Sequence, residues 1–137
     1  MSMKTVIILS DSLPAGLAVN FAAVLGMSLG KHVPDLVGSD TTSADGILLK
    51  GITTVPLPVL SAPESDLPAL FDAAEELPIR FAYMRAAFEA SDYADYMLRI
   101  TSTSFGEQVP QGILLAGPRK AVARICGQLP LLRAPIG

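Results

Sequence analysis

The fold is decided by residues 5–30, which read TVIILSDSLPAGLAVNFAAVLGMSLG. The β-branched start predicts a strand over residues 4–10, and the apolar run after Pro14 predicts a helix over residues 15–30. A strand, a turn and a helix in this order form the place where α/β proteins usually hold a ligand. No lysine, arginine, histidine or cysteine lies between residues 5 and 30, so the usual nucleophiles, bases and phosphate clamps are missing. The sequence therefore indicates a fold more directly than a function.

Length and composition indicate one α/β domain with a small aliphatic core. The chain has 137 residues, of which 50% are hydrophobic and 17% are charged, and it has no tryptophan. A domain of this size buries roughly 68% of the surface that its unfolded chain exposes. So few charges leave little polar material to cover a monomer, and we expect an apolar patch that a homodimer closes.

The lone Cys126 excludes an internal disulfide and fits a reducing, cytoplasmic setting. Asp11 interrupts the apolar start too early for a signal peptide. Asn20, Ser28 and several glycines interrupt the best candidate for a membrane span. We therefore expect a soluble protein that does not contact a membrane, and the sequence indicates no cofactor.

The rest of the chain alternates strands and helices. Pro56 and Pro58 cannot donate to a β-ladder, so the extended segment that holds them is expected at a sheet edge. The predicted elements are a loop over 33–45, an extended segment over 51–60, a helix over 66–77, a strand over 79–84, a helix capped by Ser91, a loop over 101–111, a strand over 112–117 and a helix between Pro118 and Gly127. The tail over 129–135 is expected to pack on the body.

Polar residues after the first strand are candidate ligand contacts. Asp11 ends the strand, where it either caps the helix or orients a ligand. Asn20 is the one amide in an apolar helix, so we expect it to be buried. Its amide then either bonds a neighbouring loop or faces a ligand pocket. Both residues are expected to converge on the same strand end.

The end of the chain is basic although the net charge is −3. No acid follows Glu107, and the bases that do are Arg119, Lys120, Arg124 and Arg133. The last helix begins after Gly117, and its amino end with Arg119 and Lys120 suits a small anion such as phosphate or carboxylate. Solvated surface charges are the alternative. The acidic net charge makes nucleic acid an unexpected partner.

Other reactive residue types have structural interpretations. Tyr93 and Tyr96, three apart on one helix, turn inward as core residues or as pocket walls against the last strand. Ser28, His32 and Asp35 allow a hydrolase triad to be drawn, although sequence neighbours rarely form one. The aspartates between residues 35 and 45 lack calcium-loop spacing, so no metal site is expected. Cys126 ends a helix, where the helix dipole makes the thiol a poor nucleophile.

Several segments together are similar to the bacterial domain-of-unknown-function family numbered 2000. They are GLAVNFAA (16–23), DG (45–46), GITTVPLPVL (51–60), DYADY (92–96), GPRKAV (117–122) and GQLPLL (127–132). That family resembles the type-two peptidyl-tRNA hydrolases. The resemblance implies a three-layer α/β/α sandwich around a mixed sheet of about four strands.

The hydrolase pattern itself is incomplete here. Its aspartate, glycine and alanine pair correspond to Asp11, Gly16 and Ala22-Ala23, with a one-residue offset between these positions. Its lysines fall near Leu17 and Val19, its glutamine near Ala23 or Val24, and its histidine near Gly26 or Met27. Each loss removes a group that would hold a tRNA phosphate or polarise an ester carbonyl. Peptidyl-tRNA hydrolase activity is therefore not expected.

Three functions remain open at this point. The first is a small-molecule-binding or regulatory domain, with a pocket bounded by Asp11, Asn20, Tyr93 and the turn from Gly117 to Lys120. The second is a diverged hydrolase of an ester or amide that depends on Asp11. The third is a structural dimer or partner-binding module, which the high hydrophobicity favours. The first is preferred.

Overall fold

The computed structural model describes residues 3–133 and contains a mixed four-stranded sheet, a small hairpin and five α-helices within them. In chain order the elements are β1 (Met3–Ser10), α1 (Ala15–His32), β2 (Thr41–Thr42), β3 (Leu48–Leu49), β4 (Val59–Ala62), α2 (Leu67–Ala73), β5 (Ile79–Met84), α3 (Arg85–Glu89), α4 (Tyr93–Thr101), β6 (Pro110–Pro118) and α5 (Arg119–Cys126). None of the helices in this part of the chain combines the length and apolarity needed to cross a bilayer.

The sheet has the strand order β4-β1-β6-β5. β1 runs parallel to β4 and antiparallel to β6, and β5 is antiparallel to β6. The two central strands are apolar on both faces, as expected for strands covered on both sides. In β6 every residue from Pro110 to Gly117 is buried.

Alternate residues of β1 supply two separate cores. Val6 and Ile8 pack with Leu67 of α2 and Val122 of α5 on one face of the sheet. Ile7 and Leu9 pack with buried residues of α1 on the other face, namely Ala18, Phe21, Leu25 and Leu29. Helix α1 therefore packs on one face, and α2 and α5 pack on the other.

The C-terminal segment covers the β4 edge. The amide of Ser61 donates to the carbonyl oxygen of Pro130 at 2.9 Å, and the amide of Leu132 donates to that of Val59 at 2.8 Å. Leu60 and Leu131 form an isolated antiparallel bridge between these bonds. The predicted packing of the tail is confirmed as far as residue 132, and the part beyond residue 133 lies outside the described residues.

Two elements that begin directly after a proline, Pro78 or Pro118, match the sequence prediction well. The predicted strand over 79–84 coincides with β5, and the helix after Pro118 coincides with α5. The prolines of the extended segment do belong to an edge, since the carbonyl oxygen of Pro58 accepts from the amide of Ile7 at 3.0 Å just before β4.

The helices differ from the sequence predictions in four respects. Helix α3 (Arg85–Glu89) has no counterpart in the sequence analysis, and α2 ends at Ala73 rather than at residue 77. Helix α4 is capped by Asp92 rather than by Ser91, because the Asp92 carboxylate accepts from the amide of Asp95 at 2.8 Å. The residues of α4 also fail to form a core, since none of them is buried.

Candidate functional site

The residues predicted to share one pocket lie at opposite ends of the sheet. Leu9 pairs with Gly112 and Lys4 pairs with Gly117, because β1 and β6 are antiparallel. Asp11 follows one end of β1, and Gly117 lies beside the other. Seven residues of strand separate these two ends, which is about 23 Å. Arg119 and Lys120 follow Gly117, so the predicted pocket that joins them to Asp11 is not formed.

Asp11 is exposed in a shallow depression that Glu64 also lines. Its amide donates to the carbonyl oxygen of Ala62 at 2.9 Å, which continues the pairing of β1 with β4. The position before α1 is held by Pro14, and no side chain caps this helix. The capping role expected of Asp11 is therefore wrong.

Asn20 is exposed on the outward side of α1, so the expectation of a buried amide is wrong. Only one side of this helix packs on the sheet, and its outward side is apolar as well: Val19 is 69% exposed and Met27 is 82% exposed. A helix that is apolar all round is usually buried all round. Here the second apolar side faces outward.

Tyr93 lies 72% exposed at the first turn of α4. It lines a groove against β5 rather than against β6, so its predicted inward orientation is wrong and its predicted role as a pocket wall holds against a different strand. We call this space the aromatic groove. Its walls include Val24, Ser28, Tyr83, Ala87, Tyr93 and Tyr96.

The aromatic groove gathers most of the rings of the chain, which has five phenylalanines and three tyrosines. Phe81, Tyr83, Tyr93 and Tyr96 line it directly. Phe21 of α1 stacks on Tyr83 with 4.0 Å between ring centroids, and Phe88 meets Phe21 edge-on at 6.4 Å. The groove has a volume of about 480 Å³ and is open to solvent.

Three elements build the groove from local sequence signals. Helix α1 contributes Val24 and Ser28, one turn apart, and β5 contributes the edge of the sheet. Asp92 fixes the start of α4 by its capping bond, and this places the rings of Tyr93 and Tyr96 5.4 Å apart. The ladder of hydrogen bonds to β6 holds β5 opposite them.

The polar groups of the groove are neutral donors apart from one carboxylate. Burial raises the pKa of Tyr83, and the nearby Tyr96 raises it further. Burial likewise raises the pKa of Tyr96, with a smaller contribution from Tyr93. These two phenols therefore keep their protons at neutral pH. Among the lining residues that the structure describes, Asp92 is the one charged side chain.

Within residues 3–133 the lining of the groove holds no histidine, lysine, arginine or cysteine. His32 lies beside it, with its ring 4.9 Å from that of Phe81. Its Nδ1 bonds the backbone carbonyl oxygen of Ser28 at 2.8 Å and not the Ser28 hydroxyl. The triad of Ser28, His32 and Asp35 is therefore not formed.

A second space lies at the β4 edge, and we call it the basic cleft. Lys4 and Arg119 line it together with the apolar side chains of Leu60, Leu129 and Leu131. Its volume is about 440 Å³. Cys126 lies at its buried floor, where burial raises the pKa of the thiol, so the expected poor nucleophilicity has a second physical cause.

No group of three or more histidine, cysteine or acidic residues is arranged to hold a metal ion in the described part of the chain. Two of the aspartates between residues 35 and 45 accept hydrogen bonds from the chain itself. The hydroxyl of Ser43 donates to the Asp45 carboxylate at the β2–β3 turn, and the amide of Gly51 donates to Asp40 at 2.9 Å.

Comparison with known proteins identifies the family but no activity. The family model described as a protein of unknown function, DUF2000, matches residues 3–133. No curated protein matches the chain. A solved structure of a protein of unknown function from Agrobacterium tumefaciens has the same fold, with a TM-score of 0.88 and 18% identity over 98% of this chain and 99% of that one. The chain belongs to the DUF2000 family.

Proposed function

We propose that this member of the DUF2000 family is a small-molecule-binding domain whose ligand is a planar, largely apolar molecule that occupies the aromatic groove. The observation that carries the proposal is the group of rings from β5 and α4 that lines one open space, with the buried Phe21 ring of α1 stacked on Tyr83. Stacked and edge-on rings prefer an aromatic partner at 4.5–7 Å between centroids. A planar ligand would satisfy that preference between Tyr83 and Tyr93.

The charge of the groove further limits which charge the ligand can carry. Its charged lining residue is Asp92, and its protonated phenols donate hydrogen bonds. An anion would meet like charge there, whereas a neutral or cationic ring would not. We therefore propose a neutral or positively charged ligand that carries a hydrogen-bond acceptor for the tyrosine hydroxyls.

The size of the groove limits the ligand to a small molecule. A volume of about 480 Å³ lies within the range of about 300–1,000 Å³ typical of small-molecule pockets. Its walls mix apolar side chains with a few polar atoms, which is the usual composition of such pockets. The proposal is a binding or regulatory role without chemistry at the groove.

The sandwich architecture, the cellular setting and an anion site are further proposals. One helix on one face of the sheet and two on the other support the three-layer sandwich of the type-two peptidyl-tRNA hydrolases. A cytoplasmic setting fits the reduced, buried Cys126. A small anion near Arg119 and Lys120 would use the basic cleft rather than the aromatic groove. The diverged ester or amide hydrolase is the alternative function, and it requires turnover that Asp11→Asn abolishes.

The test uses two probes of the same shape and different charge, neutral 2-naphthol and anionic 2-naphthoate. Each is titrated into isotope-labelled protein while backbone amide shifts are followed. We expect 2-naphthol to shift residues of β5 and α4 and to bind about tenfold more tightly than 2-naphthoate, since one unfavourable charge contact is worth about 1.4 kcal/mol. Equal binding of both probes, or shifts confined to the basic cleft, would refute the proposal.

Adjacent alanines of α3 supply a matched pair of variants. Ala87 lines the aromatic groove, and Ala86 lines a different depression near Arg85. We expect Ala87→Leu to fill the groove and lower the affinity for 2-naphthol at least tenfold, whereas Ala86→Leu leaves it unchanged. Both variants add the same side chain to the same short helix, so a general effect on folding would appear in both.

A further inference from the structure

We infer that the ligand of the aromatic groove is an organic cation, namely a planar aromatic ring that carries a fixed positive charge. This inference rests on the proposed function, which admits neutral and positively charged rings, and it selects the positively charged ones. Three features of the groove carry it: the tyrosine rings, the carboxylate of Asp92 and the apolar side chains of the remaining walls.

All three tyrosines of the chain line the groove, and their rings form one cluster. The rings of Tyr93 and Tyr96 are 5.4 Å apart and tilted by 47°, so they are not stacked face to face. Tyr96 also contributes to the raised pKa of Tyr83, which places these two phenols close together. The face of an aromatic ring is negative and attracts a cation within about 6 Å of its centroid. Clusters of such rings recognise quaternary ammonium groups in proteins.

The groove offers a ligand one supported ring and one exposed ring. Phe21 stacks on one face of Tyr83 at 4.0 Å, so a ligand can stack only on the opposite face. Phe21 itself is 2% exposed and lies beyond the reach of a ligand, whereas Tyr93 is 72% exposed. Stacking on an electron-rich phenol favours a positively charged ring over a neutral ring of the same shape.

The charge of Asp92 favours the same ligand. One oxygen of its carboxylate accepts from the amide of Asp95 at 2.8 Å, and a carboxylate can accept further hydrogen bonds. No ion pair engages Asp92 within residues 3–133. Arg99, the basic residue of α4, pairs with Asp95 at 3.2 Å and lines a different depression. A cationic ligand would therefore gain a charge contact with Asp92 that a neutral ring lacks.

The other walls select an organic cation over a metal ion. A metal ion needs several oxygen, nitrogen or sulfur ligands, and the described part of the chain has no group of three or more histidine, cysteine or acidic residues that could hold one. Val24, Leu25 and Ala87 instead present apolar surface, which suits the carbon skeleton of a ring. A space of about 480 Å³ is large enough for a bicyclic ring.

Two probes of the same size test the charge. N-methylquinolinium and 2-methylquinoline share a bicyclic ring and one methyl group, and in mildly alkaline buffer only the first is charged. We expect N-methylquinolinium to bind about tenfold more tightly by calorimetry, with both probes shifting the backbone amides of β5 and α4. The inference alone fails if 2-naphthol binds in the groove and N-methylquinolinium binds no more tightly than 2-methylquinoline. The proposed function fails with it if none of these probes shifts β5 and α4.

Two neutralised carboxylates locate the effect. Asp92→Asn removes the charge and keeps the helix cap, since asparagine is as good an N-cap residue as aspartate. It should reduce the preference for N-methylquinolinium from about tenfold to about threefold or less. Asp72→Asn is the matched control, because Asp72 is exposed on α2, which packs on the opposite face of the sheet. It changes the net charge equally and should keep the full preference, and an equal loss in both variants would overturn the inference.

Substitutions of Tyr93 test the contribution of the ring faces. Tyr93→Leu removes the ring and should lower the preference for N-methylquinolinium about threefold, whereas Tyr93→Phe keeps the ring and should retain most of it. Tyr93 is 72% exposed, so both variants are expected to fold, which circular dichroism checks. A Tyr93→Leu protein that keeps the full preference would overturn the inference that ring faces select the cation.

Discussion

The two edges of the sheet are covered in different ways. At the β4 edge the chain returns, and backbone bonds from Ser61 to Pro130 and from Leu132 to Val59 pair the strand with the C-terminal segment. At the β5 edge no strand or extended segment of the described residues pairs with the outer side. Aliphatic side chains of α1 and the tyrosine rings of α4 line a groove at that edge instead.

This difference supports the proposal that the β4 edge is structural and that the β5 edge binds a ligand. An unpaired strand edge invites pairing with other chains, so proteins usually cover it. The β4 edge is covered by the chain itself with aliphatic contacts. The β5 edge is left to an open groove whose rings are only partly buried, and exposed rings around a concave space are typical of a binding site.

The largest effect is expected where the open edge meets the core. Phe21 is 2% exposed and supports Tyr83 by stacking. Phe21→Ala should lower the free energy of unfolding by about 3–5 kcal/mol, because it leaves a cavity under the groove. Urea unfolding measures this. Phe105→Ala is the comparison, since the Phe105 ring stacks on Phe71 at 5.1 Å but is only half-buried. It should lower the free energy of unfolding by less than Phe21→Ala does.

The covered edge is tested by shortening a side chain of the tail. Leu132 is half-buried against the α1 core, so Leu132→Ala should lower the free energy of unfolding by about 1–2 kcal/mol. Leu131 is 53% exposed, so Leu131→Ala should change the free energy of unfolding by less than about 0.5 kcal/mol. Equal costs for the two variants would show that the tail does not hold the β4 edge through Leu132.

The start of α4 is expected to depend on Asp92 more than on its neighbour. Asp92→Ala removes the capping bond to the amide of Asp95 and should cost about 1 kcal/mol of stability. Ser91→Ala should cost only a few tenths, because the bond from the Ser91 hydroxyl to Asp95 is long, at 3.4 Å. Thermal unfolding of both variants distinguishes them, and a larger loss for Ser91→Ala would contradict the assignment of the cap.

The smallest effect concerns pH. The pKa of Tyr83 is raised above its ordinary value of 10.0, so the folded state holds the phenolic proton more tightly than the unfolded state. Its contribution to stability is present below pH 10.0 and is lost as the pH rises through the higher folded pKa. Ultraviolet titration of the phenolate should show a late-titrating group that Tyr83→Phe removes. Removal of a group that titrates at or below pH 10.0 would contradict it.

Much of the fold was predictable because apolar runs and prolines mark where its elements lie and where they begin. β5 and α5 match their predicted spans, and β1 differs by one residue. The location of the site was not predictable, because α1 is apolar on both sides and its sequence does not say which side meets the sheet. The expected burial of Asn20 failed for that reason, and the antiparallel pairing of β1 with β6 separated Asp11 from Gly117.

One signal in the sequence could have located the aromatic groove. Residues 81–96 hold five of the eight aromatic residues of the chain, namely Phe81, Tyr83, Phe88, Tyr93 and Tyr96. The spacing alone predicts core residues, since aromatic side chains at helical spacing usually pack inward. The contribution of Phe21 from α1 depends on tertiary packing, and no local pattern reveals it.

The most direct test of the account is to observe which edge a ligand contacts. Intermolecular nuclear Overhauser effects between the ring protons of 2-naphthol and protein methyl groups report this contact. We predict cross-peaks to Val24, Leu25 and Ala87 of the aromatic groove. Cross-peaks to Leu60, Leu129 and Leu131 of the basic cleft instead would contradict the assignment of the β5 edge as the binding edge.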